Sequence, residues 1–159
     1  MPVLRAHGFS ATVFLVAELI GGTADWDLKY GKPAPLVSWE DVRALQEAGI
    51  EFACHSSVHR PMTGMRLPQL TEDTVRARAI LEEGLATSVK TLAYPYGAEN
   101  EFVRRVLEDL GFQAAVSCEP GISRLGDNPL QLPRIQVFGG CKPERLLTLI
   151  DHASPAATP

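Results

Sequence analysis

Short apolar runs alternate along this chain with stretches of helical periodicity, and this alternation limits the fold more than any other feature. Runs separated by helices are typical of α/β architecture, in which neighbouring strands lie parallel because a helix returns the chain to the same edge of the sheet. We therefore predict an α/β fold of mostly parallel strands. The predicted strands are Thr12–Val16, Ile50–Cys54, Lys90–Tyr94, Phe112–Ser117 and Gln131–Val137.

Helix start and stop signals fall between these runs. Ser38 is typical of an N-cap with Asp41 at the capping-box position, and Gly49 ends that predicted helix. The other predicted helices begin at Thr71, extend over Glu99–Leu110, and begin near Pro143.

Composition limits the classes of protein to which the chain can belong. With 159 residues, 45% of them hydrophobic, it can bury one sizeable core, so we predict a single domain over residues 1–152. Residues 153–159 are small and proline-rich and are predicted to be a disordered tail. The net charge is −4 with no basic patch, which argues against nucleic acid as a partner.

No sequence feature indicates a membrane span, a signal peptide or a disulfide framework. The Ala11–Ile20 run is too short to span a bilayer and contains Glu18, and Met1–His7 lacks a long apolar segment. The three cysteines include no C-x-x-C pair. Cys54, beside His55, is read either as a thiolate ligand or, preferably, as a small buried residue.

Two histidines at a spacing of four follow the second predicted strand. His55 and His59 lie just after Cys54, so one turn of chain can direct both imidazoles at a common point, which suits a divalent metal with nitrogen ligands. Taken alone, this spacing is more typical of an unrelated surface pair than of a metal site.

A stiff turn, Tyr94-Pro95-Tyr96-Gly97, follows the third predicted strand. Proline fixes φ and Gly97 frees the backbone, so the turn is expected to present two tyrosine faces; an ordinary strand-to-helix turn is the alternative. Both motifs follow the carboxyl ends of predicted parallel strands, where functional groups collect, so we expect them to face one pocket.

These two segments, in this order, resemble the polysaccharide deacetylase family, also called the NodB-homology domain of carbohydrate esterase family 4. His55-Ser-Ser-Val-His59 is similar to that family's metal-binding segment and Tyr94–Gly97 to its groove wall. The resemblance extends over most of the chain, through His7–Val16, Val37–Gly49 and Leu132–Ile135.

The resemblance implies a fold, a reaction and a cofactor. It implies a distorted, incomplete (β/α) barrel and metal-dependent hydrolysis of N-acetyl or O-acetyl groups on a polysaccharide or amino sugar. His55 and His59 would bind a divalent metal ion, either zinc or, as the same ligands allow, cobalt or nickel. Tyr94, Pro95, Tyr96 and Gly97 would contact the carbohydrate substrate. The family often acts outside the cytoplasm, and the sequence itself predicts no location.

The chain departs from the family pattern in its carboxylates. The family carries two adjacent aspartates, a metal ligand and a general base, in a T-F-D-D-G segment on its first strand, and no such segment is present. We therefore expect the first strand to be missing, with an exposed sheet edge that favours self-association. Asp25 and Asp27 lie in a loop after a strand and could substitute, although turn formation is their more usual role.

Three other residues are candidates for the site. The family's groove-wall arginine is Ala93 here, and Arg134 either replaces it as a catalytic residue or pairs with a nearby carboxylate. His152 is similar to a late catalytic histidine but ends a helical pattern. Trp26 could stack on a sugar ring, whereas Trp39, in the first turn of a helix, more often packs on the core.

Two functions from different classes remain open. The first is a carbohydrate deacetylase, and the alternative is a catalytically inactive remnant that binds carbohydrate or a partner through the same groove. A hydrolase acting on non-sugar amides is a third option, because nothing in the sequence reads the acyl group.

Overall fold

A computed structural model describes residues 2–153. The helices and strands, in chain order, are α1 (Pro2–Ala6), β1 (Thr12–Leu15), α2 (Trp39–Glu47), β2 (Glu51–Cys54), α3 (Leu67–Leu85), β3 (Thr91–Ala93), α4 (Glu101–Asp109), β4 (Ala114–Val116) and α5 (Pro143–Ala153). No helix in this described range is long and apolar enough to cross a membrane.

The four strands form one sheet in the order β1-β2-β3-β4, and every neighbouring pair is parallel. Leu15 of β1 pairs with Cys54 of β2, and Cys54 pairs with Leu92 of β3. This register places the carboxyl ends of β1, β2 and β3 side by side. The predicted α/β fold with parallel strands is confirmed, and closure of the sheet into a barrel stays a prediction.

The fifth predicted strand, Gln131–Val137, is wrong. A 3₁₀ turn covers Pro129–Gln131, and the chain then touches β4 at one bridge, between Val116 and Leu132. Pro133 follows at once and has no N–H with which to continue a ladder. The segment therefore runs beside β4 without joining the sheet as a strand.

The predicted start of α3 at Thr71 is also wrong, because the helix begins four residues earlier, at Leu67. Pro68 occupies its first turn, where the missing N–H costs nothing, and the side-chain oxygen of Gln69 accepts a hydrogen bond from the Arg66 N–H at 3.1 Å. The capping box that opens α2 is confirmed, since the Ser38 hydroxyl oxygen accepts from the Asp41 N–H at 3.1 Å.

Helix α3 lies against the sheet and against α4, and these contacts enclose the core. Trp39 at the start of α2 packs on α3, where a Cβ added to Gly84 would lie 2.1 Å from the indole ring. The largest fully buried apolar side chains include Val42, Met62, Leu70, Leu81, Leu92, Tyr94, Val103 and Leu107.

The carboxyl-terminal end of the described range is helical. Ala153, where the disordered tail was predicted to begin, is the last residue of α5. The other tail residues, 154–159, lie outside the described residues.

Candidate functional site

The two motif-bearing loops leave neighbouring strands at the same edge of the sheet. His55 directly follows β2, and its N–H donates to the Leu15 carbonyl of β1 at 2.8 Å. Tyr94 directly follows β3, and its N–H donates to the Val116 carbonyl of β4 at 3.2 Å. Strand placement alone therefore brings the histidine loop, residues 55–60, next to the Tyr94–Gly97 turn.

The histidine loop has a strained but well-bonded backbone. Ser56 and His59 adopt positive φ angles of 65° and 59°, a conformation that costs a residue with a side chain of order 1–3 kcal/mol. The Ser56 hydroxyl oxygen accepts from the His59 N–H at 2.9 Å, and Asp73 of α3 accepts from the Ser57 N–H at 3.2 Å. One hydrogen bond within the loop and one to α3 thus fix the path of its backbone.

His55 is oriented by a hydrogen bond. Its Nδ1 lies 2.7 Å from the Ala93 carbonyl oxygen, which only accepts, so Nδ1 carries the proton and Nε2 keeps its lone pair. A ring held in this way through one nitrogen is the usual arrangement of a histidine that binds a metal through the other. Burial lowers the pKa of His55, the hydrogen bond to Ala93 partly opposes this, and the positive charge of Arg134 adds to the decrease, so the neutral ligand form is favoured.

His59 is surrounded by aromatic rings. Its ring centroid lies 4.8 Å from that of His55, 4.6 Å from that of Tyr96 and 4.1 Å from that of Trp26. Its Nδ1 is buried without a hydrogen-bond partner in the described range. Burial lowers the pKa of His59 to about 4, with a further decrease from His55, whereas Asp27 acts in the opposite direction. The structure thus brings together the two predicted metal ligands in their neutral forms.

The Tyr94–Gly97 turn presents one tyrosine to the surface, not two. Tyr94 is fully buried, its hydroxyl donates to the Leu130 carbonyl at 2.7 Å, and burial raises its pKa. Pro95 is buried as well, whereas Tyr96 is 56% exposed. The expectation that the turn presents the Tyr94 ring is wrong, because that ring faces the core, and a substrate contact of Tyr94 stays a prediction. Tyr96 and Gly97 remain available at the surface.

Arg134 lies close enough to affect His55 but pairs with no carboxylate among the residues described. Its Nε donates to the Ser117 carbonyl at 2.8 Å, beyond the end of β4, and its side chain is exposed. The predicted alternative of a simple ion pair is therefore wrong. A catalytic role for Arg134 stays a prediction.

Of the remaining candidates, Asp25 and His152 have hydrogen-bond partners nearby in sequence, and Cys54 is buried in the core. The Thr23 hydroxyl donates to Asp25 Oδ1 at 2.6 Å, a bond typical of a turn. His152 is exposed in the last turn of α5, where its Nδ1 lies 2.6 Å from the Thr148 carbonyl oxygen. Cys54 is fully buried, and burial raises its thiol pKa to about 12, so it is a core residue and not a thiolate ligand.

The donor set fits a divalent metal only in part. His55 Nε2 and the His59 ring offer two nitrogens at a common point, and zinc, cobalt and nickel accept such ligands. Within residues 2–153 no group of three histidine, cysteine or carboxylate side chains could hold a metal ion. These residues therefore supply two protein ligands, one fewer than most catalytic zinc sites use.

A cleft of about 570 Å³ lies beside the histidine loop but includes neither imidazole. It is bounded by Ser57, Val58 and the first turns of α3. Its Glu18 is already bound by Arg76 and by the Ser57 hydroxyl. We therefore place the candidate site at the histidines and not in this cleft.

Sequence reasoning missed the contact between Trp26 and His59. It considered Trp26 only as a sugar-stacking residue, because no spacing rule relates a loop residue to a histidine more than thirty positions away. The available signal was the position of Trp26 in the loop that follows β1, at the same edge of the sheet as both motifs.

Comparison with known proteins adds a family and a set of relatives. The model of a family described as polysaccharide deacetylase matches residues 1–115. YxkH of Bacillus subtilis, classed by its name with the polysaccharide deacetylases, is 23% identical over 139 residues, which are 87% of this chain and 46% of that protein. A poly-β-1,6-N-acetyl-D-glucosamine N-deacetylase of Staphylococcus aureus is 23% identical over 145 residues, 86% of this chain and 48% of that protein. The chain thus spans about half the length of these curated relatives.

Solved structures show the same fold. The Streptococcus pyogenes deacetylase PplD, determined in complex with acetate, superposes with a TM-score of 0.80 at 21% identity, over 94% of this chain and 62% of PplD. BA3943 of Bacillus anthracis, described as a pseudoenzyme of carbohydrate esterase family 4, superposes with a TM-score of 0.56 at 18% identity, over 72% of this chain and 35% of that protein.

Proposed function

We propose, from the premise that this chain belongs to the polysaccharide deacetylase family, that it takes part in metal-dependent hydrolysis of acetyl groups on an N-acetylated polysaccharide. The observation that carries the proposal is the pair of imidazoles, 4.8 Å apart between ring centroids, at the carboxyl edge of the sheet. The name of the Staphylococcus aureus relative supports an N-acetylated polysaccharide as the substrate class. The proposal also includes hydrolysis of O-acetyl groups.

Under this proposal, His55 and His59 bind the metal and Tyr96 contacts the sugar. His55, fixed through its Nδ1, offers Nε2, and His59 offers a ring nitrogen beside it. A bound divalent ion would supply Lewis acidity, polarising the acetyl carbonyl and lowering the pKa of a water to about 7. Tyr96 exposes much of its ring next to His59, in a position to stack on a sugar.

Positive charge at the edge of this site belongs to Arg134. Its guanidinium is exposed, held to the chain through the Ser117 carbonyl, and acts electrostatically on His55. We propose that it stabilises negative charge that develops on the acetyl oxygen or orients a carboxylate. A second donor, Nη2, lies 3.8 Å from Cys118 Sγ, and because a guanidinium carries five N–H donors, others remain for either role.

A test of the metal site uses metal affinity and acetate release together. We expect zinc binding that is weak, because two protein ligands leave at least half of a tetrahedral shell to other groups. Calorimetry should show that H59A abolishes this binding. H152A is the matched control, since it removes a histidine bonded within α5. Tight binding that survives H59A would contradict the proposed site.

Acetate release by this polypeptide should be close to background. No carboxylate stands with the histidines to form a three-residue group in residues 2–153, and a general base contributes about 10²–10⁴-fold. Any acetate released from N-acetylated oligosaccharides should require added metal and His59. Release at an ordinary enzymatic rate would show that a carboxylate of this chain acts as the base, and Asp25 and Asp27 would be the first candidates.

A second candidate function is carbohydrate binding without catalysis. The incomplete donor set favours it, and BA3943 is described as a pseudoenzyme of the same fold. Under this alternative, oligosaccharide affinity would depend on Tyr96 and would be unchanged by a chelator. Affinity that falls on chelation would favour the deacetylase.

We also propose that the chain associates with itself through β1. Within the described residues β1 pairs with β2 alone, so the other edge of β1 carries unpaired backbone groups. The side chain of Val13, in the middle of β1, is 36% exposed. An open edge of this kind is a template for pairing with a second strand.

A further inference from the structure

The two imidazoles of the site are held in different ways. His55 has a hydrogen bond from Nδ1 to the Ala93 carbonyl, which fixes both the plane of its ring and its tautomer. His59 has no equivalent bond, because its Nδ1 is buried and has no hydrogen-bond partner in residues 2–153. Metal-binding histidines almost always have such a partner, so another contact must hold the His59 ring.

The backbone does not provide that contact. His59 has a φ angle of 59°, and the bond from its N–H to the Ser56 hydroxyl fixes the main chain without touching the ring. Rotation about the side-chain torsions would still move the ring nitrogens away from the point at which His55 is directed. The ring therefore needs a neighbour that limits this rotation.

Trp26 is the neighbour that best meets this need. Its indole stacks on the imidazole with centroids 4.1 Å apart and planes 27° apart, the closest of the ring contacts to His59. The His55 and Tyr96 rings meet it at steeper angles of 65° and 57°. A flat, nearly parallel neighbour leaves the in-plane nitrogens open while it opposes tilting of the ring.

The loop that carries Trp26 is anchored at its base. Ala24 is buried, and its N–H donates to the Ala34 carbonyl at 2.9 Å. The Leu36 N–H donates to the Gly22 carbonyl at 2.9 Å, next to a bridge between Thr23 and Pro35. These cross-links hold the 3₁₀ segment Asp25–Tyr30, and with it the indole, over the histidine loop.

We infer that Trp26 is a positioning residue for His59, in which aromatic stacking takes the place of the missing hydrogen bond. The inference rests on the proposed metal site. Partners that orient metal ligands typically change metal affinity by about 10–100-fold when removed. We expect W26A to weaken zinc binding by about 10-fold, whereas W26F, which keeps a flat ring, stays within about 3-fold of the unmodified chain by the same comparison.

Calorimetry with zinc on four variants separates the outcomes. W26A should bind more weakly than W26F, and W39F should match the unmodified chain because Trp39 packs on Gly84 of α3. H59A should abolish binding. If H59A removes binding and W26A does not weaken it, the inference about Trp26 is overturned and the metal site stands. If H59A leaves binding unchanged, the metal site itself is wrong.

Fluorescence gives a readout on protein that keeps Trp26. The W39F variant has Trp26 as its one tryptophan, and cobalt bound beside His59 should quench its emission. The matched W26F variant keeps only Trp39 and should show little quenching at the same occupancy. Equal quenching in the two variants, or none in W39F at saturating cobalt, would overturn the stacking inference.

Discussion

At the scale of single residues, the environment of each cysteine determines what it can do. Cys54 sits at the end of β2 with no exposed surface, and burial raises its thiol pKa to about 12. Cys118 is exposed and Cys141 is partly exposed. Because the thiolate is the reactive form, burial makes Cys54 inert although it adjoins His55.

Thiol titration tests this distinction. An aromatic disulfide reagent should modify two cysteines rapidly in the folded protein, Cys118 and Cys141, and the third only after denaturant is added. The C54A variant is the control and should give two rapid thiols with no further reaction in denaturant. Three rapid thiols in the folded chain would show that Cys54 is accessible, and a role as metal ligand would then have to be reconsidered.

At the scale of elements, the Tyr94–Gly97 turn depends on a close approach that only glycine permits. Gly97 has a φ angle of 68°, and a Cβ added there would lie 2.6 Å from the Cys118 side chain and 2.9 Å from its backbone nitrogen. The turn after β3 is thus pressed against the chain that leaves β4. This contact sets the position of Tyr96.

The G97A variant should be destabilised by more than its backbone conformation explains. Positive φ costs an alanine about 1–2 kcal/mol, and overpacking adds about 1–3 kcal/mol. G111A is the matched control, because Gly111 has a φ angle of 82° but open space around the added Cβ. Urea denaturation should give a larger loss of unfolding free energy for G97A, and equal losses would mean that the Cys118 contact gives way.

The sequence predicted elements wherever a local signal was strong. Four strands and the capping box at Ser38 follow from apolar runs and side-chain capping, and they were correct to within two residues at each end. The errors occur where one proline changes the outcome. Pro68 fits the first turn of α3 and moves its start to Leu67, and Pro133 prevents the segment beside β4 from extending a ladder.

The site was predictable in its histidines but not in the rings around them. Spacing after a strand was enough to bring His55 and His59 together. The burial of Tyr94 depends on the 3₁₀ turn that offers the Leu130 carbonyl, and the stacking of Trp26 depends on how a long loop folds back. Both are tertiary contacts between segments far apart in sequence, and no local pattern encodes them.

At the scale of the whole molecule, buried histidines should make stability depend on pH. The folded-state pKa of His59 is about 4, below its ordinary 6.5, and that of His55 is also lowered. Between pH 4 and pH 6.5 these histidines bind protons in the unfolded chain but not in the folded chain. Their contribution to stability is therefore fully present above pH 6.5 and is lost as the pH falls toward 4. Asp73, whose pKa is raised by burial, acts in the opposite direction.

Thermal unfolding in the presence of a chelator measures this dependence. The midpoint temperature of unfolding should decrease as the pH is lowered from 7 to 5. H59Q should make this decrease smaller, because it removes one of the groups that take up a proton on unfolding. H152Q is the control and should leave the slope as it is in the unmodified chain. A slope that H59Q does not change would show that other groups control acid unfolding.

Light scattering tests the proposed association through β1. The average mass should rise with protein concentration, and V13K should reduce the rise because a lysine on an edge strand opposes pairing with another strand. The control is V137K, which places the same charge on another exposed valine outside the sheet. A monomer at all concentrations, or equal effects of the two substitutions, would count against the edge as the interface.

The hydrogen bond between His55 and the Ala93 carbonyl joins residues 38 positions apart, and the β1–β2 pairing joins residues 39 positions apart. Parallel strands separated by whole helices give a high contact order, which slows folding because long loops must close before their contacts form. The imidazoles are therefore aligned only after the sheet has assembled. We expect zinc to bind after folding and not to nucleate it, so zinc present during refolding should leave the folding rate unchanged in a stopped-flow measurement.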